Sequence, residues 1–262
     1  MPYLQLQDLA LYYEVTGDGP PLLLIHGLGS SCRDWEKQVE PFAKEYRIIT
    51  LDLRGHGLSG KPPGPYSIRM FAEDTVALIR KLNIAPLHVV GISMGGMVAF
   101  ELGVRFPELL RSMVIVNSYP ETRVETLQER AQVWRRFLFL ELLGMRGTGV
   151  MLGSRLFPKR EQRDLRELFV IRWSENDKRA YRESLSAVLN WDVEQHLGEI
   201  TCPVLVIASD QDYMPLEEKR AYVEKIPNAE LVVIEDARHA VTAEKPEQFN
   251  TILGEFLAGL GR

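Results

Sequence analysis

Short runs of consecutive apolar residues recur along the chain, and stretches with a helical spacing of apolar positions separate most of them. The apolar runs cover residues 22–25, 47–51, 87–90, 113–116, 204–207 and 231–234. Strands that are buried on both faces of a parallel sheet have this continuous apolar character. Stretches such as 68–82 and 97–106 have the periodicity of amphipathic helices. We therefore predict an α/β fold, a mostly parallel central sheet with helices on both faces.

Two regions depart from this alternation. Residues 4–15 alternate loosely between apolar and polar, which predicts an antiparallel hairpin at one edge of the sheet. Between residues 116 and 204 no buried strand is evident, although long helical patterns occur at 124–143 and 160–189. A structureless loop of that length is unusual in a compact domain, so we predict an inserted helical lid. The predicted domains are a core at 1–119 and 198–262 and a cap at 120–197.

The predicted cap has two further features. The glycine-rich segment 144–149 is expected to form a hinge or turn. The apolar cluster just before it is expected to pack rather than to bind a ligand; its members are Phe137, Leu138, Phe139, Leu140, Leu142 and Leu143.

Composition narrows the function classes. The chain has 262 residues and a formal net charge of -5, which gives no support to nucleic-acid binding. No apolar run approaches the ~18 residues of a membrane span, and the first residues lack a signal peptide pattern, so we expect a cytoplasmic protein. Cys32 and Cys202 have no spacing suited to zinc, and we expect neither a metal nor a cofactor. Oligomeric state is not indicated by any pattern.

The apolar run at 87–90 continues into Gly91-Ile92-Ser93-Met94-Gly95-Gly96 and then into a helical pattern. This is the G-x-S-x-G nucleophile elbow, in which a serine sits on a sharp turn between strand and helix. Glycine at Gly91 and Gly95 avoids collisions between Cβ atoms and the backbone in so tight a turn. The pentapeptide alone would occur by chance in roughly one chain in ten, so other parts of the chain must support it.

Other polar residues follow the remaining predicted strands. Because ligands bind at the carboxyl ends of strands in an open parallel sheet, these residues are expected to meet at one edge. A serine, a carboxylate and a histidine are therefore expected to converge there in the chain order Ser, Asp, His. The segments concerned begin at His26, Asp52, Ser93, Asn117, Ser209 and Glu235.

With these motifs in place, the chain resembles the α/β-hydrolase fold superfamily. It is similar to the subgroup that contains small esterases, 3-oxoadipate enol-lactonases, cofactor-free haloperoxidases and carbon–carbon bond hydrolases. The motifs cover about 20–120 and 203–256, and none covers the predicted cap. They are HGLG, DLRGHGLS, GISMGG, SDQDYMP and RHAVTAEKPEQF.

The resemblance implies a role for individual residues. Ser93 matches the nucleophile, His239 the general base and acid, and Asp212 the carboxylate that orients the histidine. Asp210 is the rival for the carboxylate, and its alternative role is a turn residue that bonds local backbone N–H groups. In some relatives the acid follows the fourth strand of this series, where this chain has Asn117. The resemblance also implies an oxyanion hole.

The backbone N–H of Met94, directly after the nucleophile, is one expected donor to that oxyanion hole. The N–H of Leu28, in the short HGLG loop, is the other.

Several other polar residues are expected to be structural. His26 and His56 are interpreted as braces of their loops rather than metal ligands. Asp52 and Arg54 are expected to pair with each other. Trp191 is predicted either to line the pocket or to pack in the core.

The leading hypothesis is a serine hydrolase that acts on a small carboxylic ester or lactone. One alternative is a carbon–carbon bond hydrolase with the same triad, and another is a non-catalytic ligand receptor on the same fold. The family often has Gly-His where this chain has Arg238-His239. Together with a slight basic excess of the cap, Arg238 suggests an anionic substrate.

Overall fold

A central sheet organises the molecule, whose computed structural model describes residues 2–124 and 126–261. Within these residues the sheet has eight strands in the order β1-β2-β4-β3-β5-β6-β7-β8. The strands are β1 (Tyr3–Gln5), β2 (Ala10–Thr16), β3 (Pro21–Ile25), β4 (Arg47–Leu51), β5 (Leu87–Ile92), β6 (Leu110–Val116), β7 (Val204–Ser209) and β8 (Ala229–Ile234). This arrangement places β5, which leads into the serine elbow, in the interior of the sheet.

Strand direction follows the sequence pattern. The pairs β1–β2 and β2–β4 are antiparallel, whereas every pair from β4 to β8 is parallel. The apolar runs become the parallel strands because they are buried on both faces, and the loosely alternating segment becomes the antiparallel edge. The predicted α/β fold and its antiparallel edge are confirmed.

Helices cover both faces of the sheet. The α-helices are α1 (Glu36–Phe42), α2 (Ile68–Leu82), α3 (Met94–Arg105), α4 (Leu127–Leu156), α5 (Arg163–Ser174), α6 (Lys178–Val188), α7 (Leu216–Val223), α8 (Val241–Glu244) and α9 (Pro246–Gly259). In β3, Leu23 and Ile25 join the core that holds α2 and α3. Leu22 and Leu24 point the other way, into the core that holds α9. Alternate side chains of one strand thus belong to two separate cores.

Helix α2 shows how local sequence defines an element. The hydroxyl of Ser67 accepts a hydrogen bond from the N–H of Met70 at 3.1 Å and caps the first turn. At the other end Asn83 adopts a left-handed conformation, with φ of 49°, and ends the helix. The bounds of α2 coincide with those that the periodicity predicts.

Helices α4, α5 and α6 lie between β6 and β7 and differ in detail from the sequence-based prediction. Only Gly144, with φ of 62°, leaves the helical region, so α4 resumes at Met145 and the predicted hinge over 144–149 is wrong beyond its first residue. The predicted helical stretch 160–189 is divided in two. The carboxylate of Asp177 accepts from the N–H of Ala180 at 2.7 Å and begins α6 as a new helix.

The apolar side chains of this region differ in burial. Leu140 is fully buried, but Leu142 and Leu143 are exposed, so the expected packing fails for these two side chains. Trp191 packs in the core, where its indole N–H donates to Glu101 at 2.8 Å.

Among the described residues, no helix combines the length and apolar character that crossing a membrane requires.

Candidate active site

Ser93 stands at the junction of β5 and α3. Its backbone has φ of 55° and ψ of -121°, which is a strained conformation for a residue with a side chain. The Ser93 N–H donates to the carbonyl of Val116 at 2.9 Å, and the Ser93 carbonyl accepts from the hydroxyl of Ser118 at 2.7 Å. These bonds from the neighbouring strand hold the turn in place, so the fold maintains the strain at this serine.

The glycines of the elbow are required by close backbone approach. A Cβ atom at Gly91 would lie 2.2 Å from the carbonyl oxygen of Gly95. A Cβ atom at Gly95 would lie 2.2 Å from the carbonyl oxygen of Ile25 in β3. Neither position can carry a side chain without moving the backbone, as the sequence pattern predicts.

His239, in the loop after β8, and Asp212, in the loop after β7, lie in direct contact. The Nδ1 atom of His239 is 2.6 Å from Oδ1 of Asp212. Asp210, the rival carboxylate, instead accepts from the backbone N–H of Ala237 at 3.1 Å. Within the described residues no hydrogen bond joins the Ser93 hydroxyl to the His239 ring, a contact that often tightens only when substrate is bound.

A buried lysine that the sequence analysis missed completes this cluster. Lys219 of α7 is fully buried, and its ammonium group donates to Oδ2 of Asp212 at 2.5 Å and to Oδ1 of Asn117 at 3.0 Å. Asn117 in turn donates to the backbone carbonyl of His239 at 3.0 Å. Both oxygens of Asp212 are therefore occupied, one by His239 and the other by Lys219.

Electrostatics favours the ionised form of Asp212. Burial raises the pKa of its carboxyl group, but the hydrogen bond and charge of His239, together with the charge of Lys219, outweigh burial and hold the pKa below its usual range. Burial lowers the pKa of Lys219, and Asp212 counteracts that effect. A carboxylate can only accept, so the Nδ1 nitrogen of His239 carries the proton and its other nitrogen is free to accept one.

The two expected oxyanion donors border the same space as Ser93. Among the described residues, neither the N–H of Leu28 nor that of Met94 donates to another protein group. A Cβ atom at Gly27 would lie 3.3 Å from Cβ of Ser93, so the HGLG loop passes directly beside the serine. Two unengaged N–H groups next to a serine side chain are what stabilisation of an oxyanion requires.

The loop after β3 is braced by His26, as predicted. Its Nε2 accepts from the N–H of Leu53 at 3.0 Å, and its Nδ1 donates to the carbonyl of Gly27 at 2.7 Å. Burial lowers the pKa of His26 to about 4, which keeps the ring neutral. The ring centroid of His56 lies 5.1 Å away.

The expected pair between Asp52 and Arg54 is wrong. Asp52 accepts from the backbone N–H groups of Cys32 and Leu58, both at 2.7 Å. Arg54 instead forms a buried ion pair with Asp74 at 2.8 Å and a second pair with Asp8. Asp52 and Arg54, two residues apart, have entirely different partners, which the motif alone does not reveal.

A cavity of about 920 Å³ connects these groups. From the core its wall includes Ser93, His239, Leu28 and Met94, and from the inserted helices it includes side chains of α4 and α5. Arg238 borders a separate and smaller pocket. Of the two observations that suggested an anionic substrate, Arg238 therefore does not apply to the main cavity, whereas arginines of the inserted helices do border it.

Comparison with known proteins decides the family. The description "alpha/beta hydrolase fold" belongs to a family whose profile matches residues 20–246 of this chain. The chain belongs to the α/β-hydrolase fold family.

The relatives of this α/β hydrolase include a 3-oxoadipate enol-lactonase from Acinetobacter baylyi, 31% identical over 93% of this chain and 91% of the relative. An (E)-2-((N-methylformamido)methylene)succinate hydrolase from the same species is 29% identical over 95% of this chain and 94% of the relative. The crystal structure of an enol-lactonase from Burkholderia xenovorans LB400 matches with a TM-score of 0.90 and 24% identity, covering 98% of this chain and all of that one. The protein is thus a hydrolase of the α/β family.

Proposed function

We propose that this α/β hydrolase is a serine hydrolase that cleaves a small carboxylic ester or lactone through an acyl-enzyme on Ser93. The observation that carries the proposal is the contact between His239 and an ionised Asp212, beside a cavity that the strained Ser93 also borders. A strained serine next to a base that a carboxylate orients is the arrangement for nucleophilic acyl transfer. The similarity to an enol-lactonase supports an ester or lactone as the substrate.

The reaction follows from these positions. His239 accepts the hydroxyl proton as Ser93 attacks the substrate carbonyl, and the backbone N–H groups of Leu28 and Met94 stabilise the negative oxygen that forms. His239 then donates the proton to the leaving alcohol oxygen, which leaves an ester on Ser93. Water, deprotonated by the same histidine, attacks that ester and releases the acid. Asp212 stabilises the imidazolium in both steps.

The inserted helices supply the cap in this proposal. Trp173 of α5 packs over Gly29 of the HGLG loop, and Arg33 near the loop pairs with Glu175 at the end of α5. The cap thereby covers the site and limits the size of the substrate that reaches Ser93.

The proposal is tested by hydrolysis of p-nitrophenyl esters from acetate to octanoate. We expect wild-type turnover with an optimum chain length and a loss of at least ~10⁴-fold in Ser93→Ala, since a triad member is removed. Thr148→Val is the matched control, because Thr148 also borders the cavity and its hydroxyl has no hydrogen-bond partner among the described residues, so its loss should cost less than about tenfold. Activity that survives in Ser93→Ala would overturn the mechanism.

Absence of turnover in the wild-type protein would overturn the ester and lactone substrate. A diketone cleaved by wild type but not by Ser93→Ala would then identify a carbon–carbon bond hydrolase. Binding of a ligand without turnover would identify a receptor.

A further inference from the structure

The part of the cavity wall that the inserted helices provide contains an arginine that pairs with no carboxylate among residues 2–124 and 126–261. Arg136 of α4 borders the cavity, and its Nη2 donates to the hydroxyl of Tyr181 at 3.1 Å. Its Nε is buried without a partner, and its accessible Nη1 makes no hydrogen bond to the described residues. A half-buried guanidinium with one neutral partner leaves most of its five donors unused.

Of the described residues, four other arginines border the cavity, and Arg135 and Arg155 among them are exposed to solvent, which screens their charges. The remaining two have carboxylate partners. Arg172 pairs with Glu36 at 2.7 Å, and Arg33 pairs with Glu175. Their charges are balanced by carboxylates at the cavity rim. Arg136 forms no ion pair within the described residues, although removing a charge from water without compensation is costly.

Side-chain contacts fix the position of Arg136 relative to the HGLG loop. Tyr181, which accepts its hydrogen bond, stacks edge-on against Trp173 with ring centroids 5.5 Å apart. The ring of Trp173 occupies the space over Gly29, where an added Cβ atom would lie 2.6 Å from it. Contacts between side chains therefore link Arg136 to the loop that carries the N–H of Leu28.

We propose that Arg136 binds a carboxylate on the substrate, at the end remote from the bond that is cleaved. The inference rests on the proposed serine hydrolase and defines its substrate class as esters or lactones that carry a carboxylate. The two outer nitrogens of a guanidinium match the two oxygens of a carboxylate, and one such group balances a single negative charge. In this proposal the substrate carboxylate is the negatively charged partner that the described residues do not provide for Arg136.

The test compares pairs of p-nitrophenyl esters that differ only in charge. Half-esters of glutarate, adipate and suberate are each measured against the neutral ester of the same carbon number. The measured quantity is the ratio of kcat/KM for the anionic ester to that for the neutral one. We expect Arg136→Gln to lower this ratio by at least about tenfold at the preferred length, the effect of losing a charge-assisted hydrogen bond. Arg136→Lys should restore part of it.

Arg130→Gln is the matched control, because it removes the same charge from an exposed position of the same helix that does not border the cavity. Its ratio should stay within about twofold of wild type, as expected for a screened surface charge. An equal fall for both esters in Arg136→Gln, or an unchanged ratio, would overturn the carboxylate site.

A binding measurement separates this inference from the proposed function. Calorimetric titration with hexanoate and with the neutral hexanamide requires no turnover of an ester. Tighter binding of hexanoate than of hexanamide, lost in Arg136→Gln, would support the carboxylate site even if no ester were hydrolysed. Equal binding of hexanoate to wild type and Arg136→Gln would overturn it even if the esterase proposal held.

Discussion

Polar groups on the two sides of the cavity differ in how completely their hydrogen bonds are satisfied. On the core side, His239, Asp212, Lys219 and Asn117 satisfy one another in a closed chain of hydrogen bonds. On the side of the inserted helices, the hydroxyl of Tyr181 is the one hydrogen-bond partner of Arg136 in the described part of the chain. A closed network holds its members in one geometry, whereas an unsatisfied cation favours a ligand of opposite charge. We infer that the core determines the reaction and the insertion selects the substrate.

The largest effect that tests this division concerns the carboxylate beside His239. We expect Asp212→Asn to lower kcat/KM for a neutral p-nitrophenyl ester by about 10⁴-fold, because the amide no longer stabilises the imidazolium or fixes its tautomer. Asp210→Asn should cost less than about tenfold, since Asp210 only accepts from a backbone N–H. Steady-state kinetics on both variants would contradict the assignment if Asp210→Asn had the larger effect.

A smaller effect is expected when the buried cation is removed. Lys219→Met should lower the free energy of unfolding by about 3 kcal/mol, because the buried carboxylate of Asp212 loses a partner. The lowered pKa of Asp212 stabilises the fold above the unfolded value near 4, and this stabilisation disappears as the pH falls through the folded value. Without Lys219 the folded pKa rises, so acid unfolding should begin at a higher pH.

Thermal melts between pH 3 and 7 measure this shift. Lys225→Met is the control, because Lys225 pairs with Glu194 at the surface and should contribute less than about 1 kcal/mol. The double variant Lys219→Met/Asp212→Asn should recover part of the lost stability. Equal melts for the two lysine variants would show that the buried pair contributes no more than a surface pair.

The smallest effect concerns the contact between the two sides of the cavity, in which Trp173 of α5 packs over Gly29 of the HGLG loop. Gly29 and Gly144 both have positive φ, at 72° and 62°, but only Gly29 touches another element. Gly144→Ala should cost about 2 kcal/mol of stability from backbone strain alone, because φ of 62° with ψ of -171° is a conformation that essentially only glycine adopts. Gly29→Ala should cost more, because its Cβ atom would displace Trp173, and it should also lower kcat by disturbing the N–H of Leu28. Chemical denaturation and kinetics on both variants measure the difference, and identical results would mean that the contact is unimportant.

The core of this molecule could be predicted because its signals are local. Four consecutive apolar residues define β3, the cap at Ser67 defines the start of α2, and glycines at close backbone contacts define the elbow. Each of these features depends on a few neighbouring residues, so the fold and the positions of Ser93, Asp212 and His239 along the sheet edge could be derived from the sequence.

The remaining features depend on contacts between distant segments. The partners of Arg54 are Asp8 and Asp74, which no motif brings together. The sequence does not distinguish Arg136 from a surface arginine, because its position at the cavity depends on how α4 packs over the sheet. Lys219 was the one missed residue with a usable signal: it lies three and four residues before Tyr222 and Val223, on the face of α7 that packs inward.

Intact-protein mass spectrometry after treatment with a fluorophosphonate shows whether Ser93 is an activated nucleophile, without any choice of substrate. Such a reagent reacts with a serine that an adjacent base activates and leaves a stable phosphonyl ester. We expect one adduct per chain, mapped to Ser93 by peptide sequencing and absent from Ser93→Ala. No adduct on wild type, or an adduct that persists in Ser93→Ala, would contradict nucleophilic catalysis by this serine.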